Sequence, residues 1–177
     1  MTSSATHDVV ERTQVVPIER VTLVSSRTFD DVLAAVYSGM GRPDDFAALL
    51  ERWVAADSAE SYDALVAESA GTAGIIEFLS LDMGAALAKH PRLLQHRLVR
   101  VIAGNPVTMA SMTSTVPDAG SYAPVTILIA ERSDGVHIAY DRISTAIAPY
   151  QDTAASSVAA DLDDAVLQLL RTAASGR

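Results

Sequence analysis

Residues 124–141 read PVTILIAERSDGVHIAYD, and this stretch decides the fold. Two apolar runs, 124–131 and 135–141, flank Arg132-Ser133-Asp134-Gly135. Asp-Gly accommodates the positive φ of a tight turn, so the two runs predict neighbouring antiparallel strands joined as a hairpin.

Upstream, residues 101–112 (VIAGNPVTMASM) change character at Gly104-Asn105-Pro106. Residues 95–103 alternate as a strand. Asn105 is then a good N-cap, and Pro106 stands at the favoured first helical position. Met109, Met112 and Val116 share one helix face, and the helix ends before Pro117-Asp118-Ala119-Gly120. The junction is a turn first and a candidate rim of a binding site second.

Towards the N-terminus, residues 18–25 are strand-like, with Val21 and Leu23 alternating against Thr22. Thr28-Phe29-Asp30-Asp31 resembles a capping box, and Phe29, Val32, Leu33, Val36 and Tyr37 follow at helical spacing. Gly39-Met40-Gly41-Arg42-Pro43 breaks that helix and reads as a hinge. Asp44 is the expected cap of a second helix bearing Phe46, Leu49, Leu50, Trp53 and Val54. Ser58 caps a third bearing Tyr62, Leu65 and Val66. Residues 75–81 read as a strand apolar on both faces except at Glu77 and Ser80, and a short helix is expected near 84–88, ended by Pro91. A last helix over 153–173 buries Val158, Leu162, Val166 and Leu169 and turns Asp161, Asp163 and Asp164 to water. The order of elements implies an α+β domain: an antiparallel or mixed sheet of about five strands with helices packed on it. It spans residues 17–177, behind a loose arm at 1–16.

Composition narrows the chemistry. The 177 residues suit one domain with a substantial core. The absence of cysteine removes disulfides, thiolate nucleophiles and cysteine-based metal sites. A net charge of −9 repels phosphate backbones and anionic bilayers, so neither nucleic acid nor a membrane is an expected partner. The first sixteen residues have no basic start and no apolar block, so a cytoplasmic location is expected. Lys89 is the one lysine; with abundant Ala, Asp and Val, that bias points to a high-GC bacterium.

From residue 75 onward the order of signals resembles the bacterial family catalogued as domain of unknown function 302. The signals are an apolar strand, a strand ending in Gly104-Asn105-Pro106, a helix, Ala123-Pro124-Val125 opening a hairpin, and a last amphipathic helix. The resemblance implies a compact α+β fold that assembles as a dimer, and imports no activity. Family members often carry cysteine beside the Asn-Pro and after the later proline, where this chain has Gly104 and Val125, so no thiol role is available here. Residues 39–72 exceed the short turn expected of the family and read as an inserted helical pair, able to serve as a lid or wall.

Candidate chemistry is sparse. His90 and His96 lie six apart across Pro91, too irregular for ligation from one helix face, and no HExxH or carboxylate cluster accompanies them. No metal and no cofactor are expected. No Gly-x-Ser-x-Gly elbow, P-loop or dinucleotide fingerprint is present. Glu77 and Arg100 interrupt apolar strands, as an inward pair or as a cross-strand salt bridge. The candidate ligand-binding residues are Met40, Trp53, Tyr62, Asn105, Met109, Met112, Tyr122, His137 and Tyr140, chosen for apolar or amphipathic side chains near element ends. His137 alone among them could act as a general base. The expected ligand is an apolar small molecule. The leading expectation is a cofactor-independent enzyme that isomerises or cyclises it by positioning. The alternatives are a non-catalytic binding or sensing dimer, and a structural or interaction protein.

Overall fold

The computed structural model describes residues 10–90 and 96–176. The strands are β1 (Arg20–Ser25), β2 (Ile76–Asp82), β3 (Leu98–Gly104), β4 (Val125–Arg132) and β5 (Gly135–Asp141). The helices are α1 (Phe29–Ser38), α2 (Phe46–Val54), α3 (Ala59–Ser69), α4 (Met83–Leu87), α5 (Pro106–Thr113), α6 (Ile143–Ile147) and α7 (Thr153–Ser175). The sheet order is β1-β5-β4-β3-β2, with every pairing antiparallel. The 124–141 hairpin therefore forms the middle of the sheet, closed by the Arg132↔Gly135 pair.

Alternation along the strands sorts the two faces. Val136, Ile138 and Tyr140 of β5, Ile127 and Ile129 of β4, and Val99 and Val101 of β3 point to one side. There they join Phe29, Val32 and Val36 of α1 and the apolar stripe of α7 in the main core. Local chemistry starts these helices: the Thr28 hydroxyl accepts from the Asp31 N–H at 3.2 Å, and the Asp152 carboxylate accepts from Ala155 N–H at 2.7 Å. The opposite face has no helix of the described residues packed on it, and Val24, Leu79 and Leu81 are each at least 40% exposed.

Several expectations are corrected. Asp45, not Asp44, caps α2, accepting from Ala48 N–H at 3.0 Å. β2 is an edge strand with a bulge between Glu77 and Leu79, so it is not apolar on two buried faces. Glu77 pairs with Arg42 at 2.5 Å and not with Arg100, which reaches Thr126. Val116 lies beyond the end of α5, although it is buried. Residues 1–9 of the expected arm, Pro91 and Gln95 lie outside the described residues.

Asp163 was expected in water and is fully buried. Its Oδ1 accepts from the Tyr140 hydroxyl at 2.6 Å and Ile143 N–H at 2.9 Å; its Oδ2 accepts from Ser144 N–H at 3.1 Å and the Ser144 hydroxyl at 2.5 Å. The carboxylate thus caps α6, whose own N-cap residue Arg142 does not cap it with its side chain. A buried charge satisfied by four donors ties α7, β5 and α6 together.

Gly41 and Gly71, expected as hinge ends of the α2–α3 segment, are instead packed backbone against backbone. The Gly41 N–H donates to Ile75 O at 2.8 Å, Glu77 N–H returns a bond to Gly41 O at 2.8 Å, and Gly41 bridges Ile76 in parallel. A Cβ on Gly41 would lie 1.7 Å from Ser69 O, and one on Gly71 2.3 Å from the Met40 carbonyl carbon. The two ends of the α2–α3 segment are sewn backbone to backbone, and only glycine permits that approach at Gly41 and Gly71.

Candidate functional site

Helices α2 and α3 build, with β2, a second core of Leu49, Trp53, Val66 and Ile76, with Phe46, Tyr62, Phe78 and Val107 packed against it. Phe46, Trp53, Tyr62 and Phe78 form one aromatic group: Phe46 meets Trp53 edge to face at 5.8 Å, Trp53 meets Tyr62 at 6.5 Å, and Phe46 lies 4.9 Å from Phe78. Edge-to-face pairs are favourable and rigid, so α2 and α3 hold a stiff aromatic wall against β2.

Between this wall and the main core lies a cavity of about 240 Å³. α2 and α3 supply Phe46, Leu50, Trp53 and Tyr62; β2 and β3 supply Phe78 and Gly104; α5 supplies Pro106, Met109 and Met112. Ala123, Pro124 and Val125 close it beside Leu162 of α7. No acidic, basic or histidine side chain lines it. Larger depressions exist: Arg97, Glu131 and Arg132 border one, Arg42, Asp44 and Asp45 another, and polar Ser38, Thr72, Gln168 and Thr172 a third.

The structure brings together five of the nine candidate residues here: Trp53, Tyr62, Asn105, Met109 and Met112. Met112 is fully buried, while Met109 is 36% exposed and stands at the mouth. Asn105 is occupied with architecture: its Oδ1 accepts from Val107 and Thr108 N–H groups, and its Nδ2 donates to Gly74 O at 3.0 Å. The Gly-Asn-Pro junction is both the start of α5 and the rim of the cavity. Burial, and then the neighbouring Asp63 charge, push the Tyr62 phenol up, so it stays protonated at neutral pH. The Trp53 indole N–H is buried with no hydrogen-bond partner.

The other four lie elsewhere. Met40 is buried in the main core below α1. Tyr122 sits beside Tyr150, whose phenol that interaction raises to about 12. Tyr140 is buried as the donor to Asp163; burial first, then that bond, keep its phenol protonated far above its ordinary value. His137 is on the sheet face away from α1 and α7, 2.8 Å from Asp134, whose carboxyl it holds below its ordinary range. Sequence reading missed Phe46, Leu50, Phe78 and Leu162 as cavity walls, because their spacing marks them as core. The convergence of Gly104-Asn105-Pro106 with Ala123-Pro124-Val125 was the signal that could have placed the site.

A single antiparallel sheet, backed by helices and carrying a neutral apolar hollow under the α2–α3 pair, defines a small α+β protein with a ligand-sized cavity. The chain belongs to the DUF302 family, a domain of unknown function whose model matches residues 52–173. The match begins inside α2, so α3 falls within it. The fold is similar to the crystal structure of an uncharacterized conserved DUF302 protein from Bacillus stearothermophilus, with a TM-score of 0.59 and 12% identity. That alignment covers 86% of this chain and 95% of the other. No curated protein matches the chain. Among the described residues, no helix is long and apolar enough to cross a membrane, and no three His, Cys, Asp or Glu side chains are grouped to hold a metal ion.

Proposed function

We propose that this protein binds a small, neutral, apolar molecule in the cavity between the α2–α3 pair and α5. The observation that carries the reading is a hollow of about 240 Å³ walled by aromatic and methionine side chains and free of ionisable groups other than Tyr62. Its size is below the roughly 300–1,000 Å³ usual for drug-sized ligands, so the guest is no larger than about three fused rings. A charged molecule would lose its hydration there with no counter-charge in the walls.

The test is titration with 1-aminoanthracene, an apolar fluorophore. The expected result is one saturable site per chain, with quenching of Trp53, the single tryptophan. Gly104→Leu, which pushes a side chain into the hollow, should abolish that binding while the chain stays folded. Unchanged binding in a folded Gly104→Leu protein would overturn the reading.

Rearrangement of the bound molecule, an isomerisation or cyclisation, is the second reading. Tyr62 and Trp53 favour it as rigid rings in an apolar, shape-defining wall. A homodimer belongs to the same proposal, supported by the outward Val24, Leu79 and Leu81 on the uncovered sheet face. Light scattering returning the mass of one chain at micromolar concentration would refute that part.

A further inference from the structure

Three large apolar side chains stand in water around the mouth of the hollow. Leu50 is 47% exposed and Met109 36%, and both line the cavity; Val54, one turn beyond Leu50 on α2, is 80% exposed. Residues four apart on a helix are neighbours on one face, so Leu50 and Val54 make a strip that runs into the mouth beside Met109 of α5. Single apolar residues on a surface need no explanation. A contiguous apolar patch that opens onto an apolar hollow is where interaction sites are found.

Charge says which kind of partner fits. Residues 44–69, which hold α2 and α3, carry seven acidic residues and one basic, Arg52, so six of the chain's nine net negative charges lie on this helical pair. Arg52 is taken by Glu68 at 3.5 Å. Glu51 beside Leu50, Asp57 in the α2–α3 turn, and Glu60 and Asp63 in the first half of α3 are exposed and have no basic partner among the described residues. After burial, the Asp63 charge is what raises the phenol of Tyr62 in the cavity wall, so the acids come close to the mouth. A second copy meeting this face sets acid against acid, and an anionic bilayer is repelled in the same way.

We propose that the α2 strip of Leu50 and Val54, together with Met109 at the cavity mouth, docks a basic amphipathic helix of a partner protein. The apolar stripe of that helix lies on the strip, and its lysines or arginines meet the acids of α2 and α3. Apolar contact supplies the affinity, while the charges speed the encounter and set the sign of the partner. Methionine suits such a surface because its unbranched chain adapts to whatever packs on it. A helix seated there also covers the mouth, whether or not a guest lies in the hollow.

The probe is a fluorescein-labelled peptide, LKKLLKLLKKLLKL, whose leucines share one helix face, titrated with the full chain by fluorescence anisotropy at low and high salt. Saturable binding is expected, about tenfold tighter than that of a scrambled peptide of the same composition, and the leucine–glutamate counterpart should not bind. Val54→Asn together with Leu50→Asn should weaken binding about tenfold in a chain that still unfolds cooperatively. Glu51→Gln, Glu60→Gln and Asp63→Asn together should weaken it several-fold and flatten its salt dependence, because they remove the screened part of the attraction. Equal binding of the scrambled peptide, or binding indifferent to both sets of replacements, would overturn the proposal. So would a dimer, seen by light scattering, that Val54→Asn and Leu50→Asn dissolve, since a second copy then holds this face. Phosphatidylcholine vesicles bound by the unaltered chain but not by that variant, with no peptide binding, would overturn it in favour of a lipid surface.

Discussion

Gly104→Ala separates a real hollow from a merely loose surface. Gly104 closes β3 at the cavity, and a Cβ placed there would meet Phe78 Cε2 at 3.4 Å, Pro124 Cβ at 3.5 Å and Phe78 Cζ at 3.6 Å. Those are ordinary van der Waals distances, so the methyl fits without moving its neighbours. Burying one methyl contributes about 0.8 kcal/mol. Replacing glycine also lowers the entropy of the unfolded chain, contributing about 0.4–1 kcal/mol more where the native backbone suits alanine. The sum is about 1.2–1.8 kcal/mol of added stability, and for a chain of this length roughly a 2–7 °C rise in Tm. The same methyl takes space from the guest, so 1-aminoanthracene should bind several-fold more weakly. Thermal denaturation by circular dichroism and the dye titration measure the two sides. A protein that gains stability while losing dye affinity fits a pre-formed cavity at this position. A fall in Tm of several degrees would show that the space is absent, and a rise with unchanged dye binding would place the dye elsewhere.

Asp163→Ala should cost about 3–5 kcal/mol in denaturant unfolding, because Tyr140, Ile143 and Ser144 lose their shared acceptor; Asp163→Asn, which keeps one oxygen, should cost less, and a loss under about 1 kcal/mol for alanine would refute the account of this network. Gly71→Ala should destabilise by roughly 2–3 kcal/mol, since its methyl would meet the Gly39–Gly41 backbone, which cannot give way; a near-silent substitution would restore these glycines as hinges. Acid should also destabilise the fold through Asp141 and Asp30, whose carboxyls are held low chiefly by hydrogen bonds from Arg20 and Arg97. Because the folded values are depressed, this contribution is full above the ordinary 3.8 and disappears as pH falls through the folded values. Asp141→Asn should flatten that acid limb, and an unchanged limb in Asp141→Asn and Asp30→Asn together would refute the assignment.

The local chemistry of this chain was legible in its sequence. The Asp-Gly turn fixed a hairpin because few residues tolerate its backbone, Thr28, Ser58 and Asn105 capped helices because their side chains reach nearby N–H groups, and period-two and period-four stripes named the main core. Even the family was visible in the order of strands and prolines. Tertiary packing decided the rest. Periodicity reports that a residue is buried but not against what, so Phe46, Phe78 and Leu162 read as core and became cavity walls, while Tyr140 read as a pocket candidate and became a donor to Asp163. Asp163 itself lay on the expected wet side of its helix and was drawn inside by donors from two elements more than fifteen residues away. Gly41 and Gly71 look like hinges in one dimension and are seams in three, because the chain that crowds them arrives from some thirty residues along the sequence.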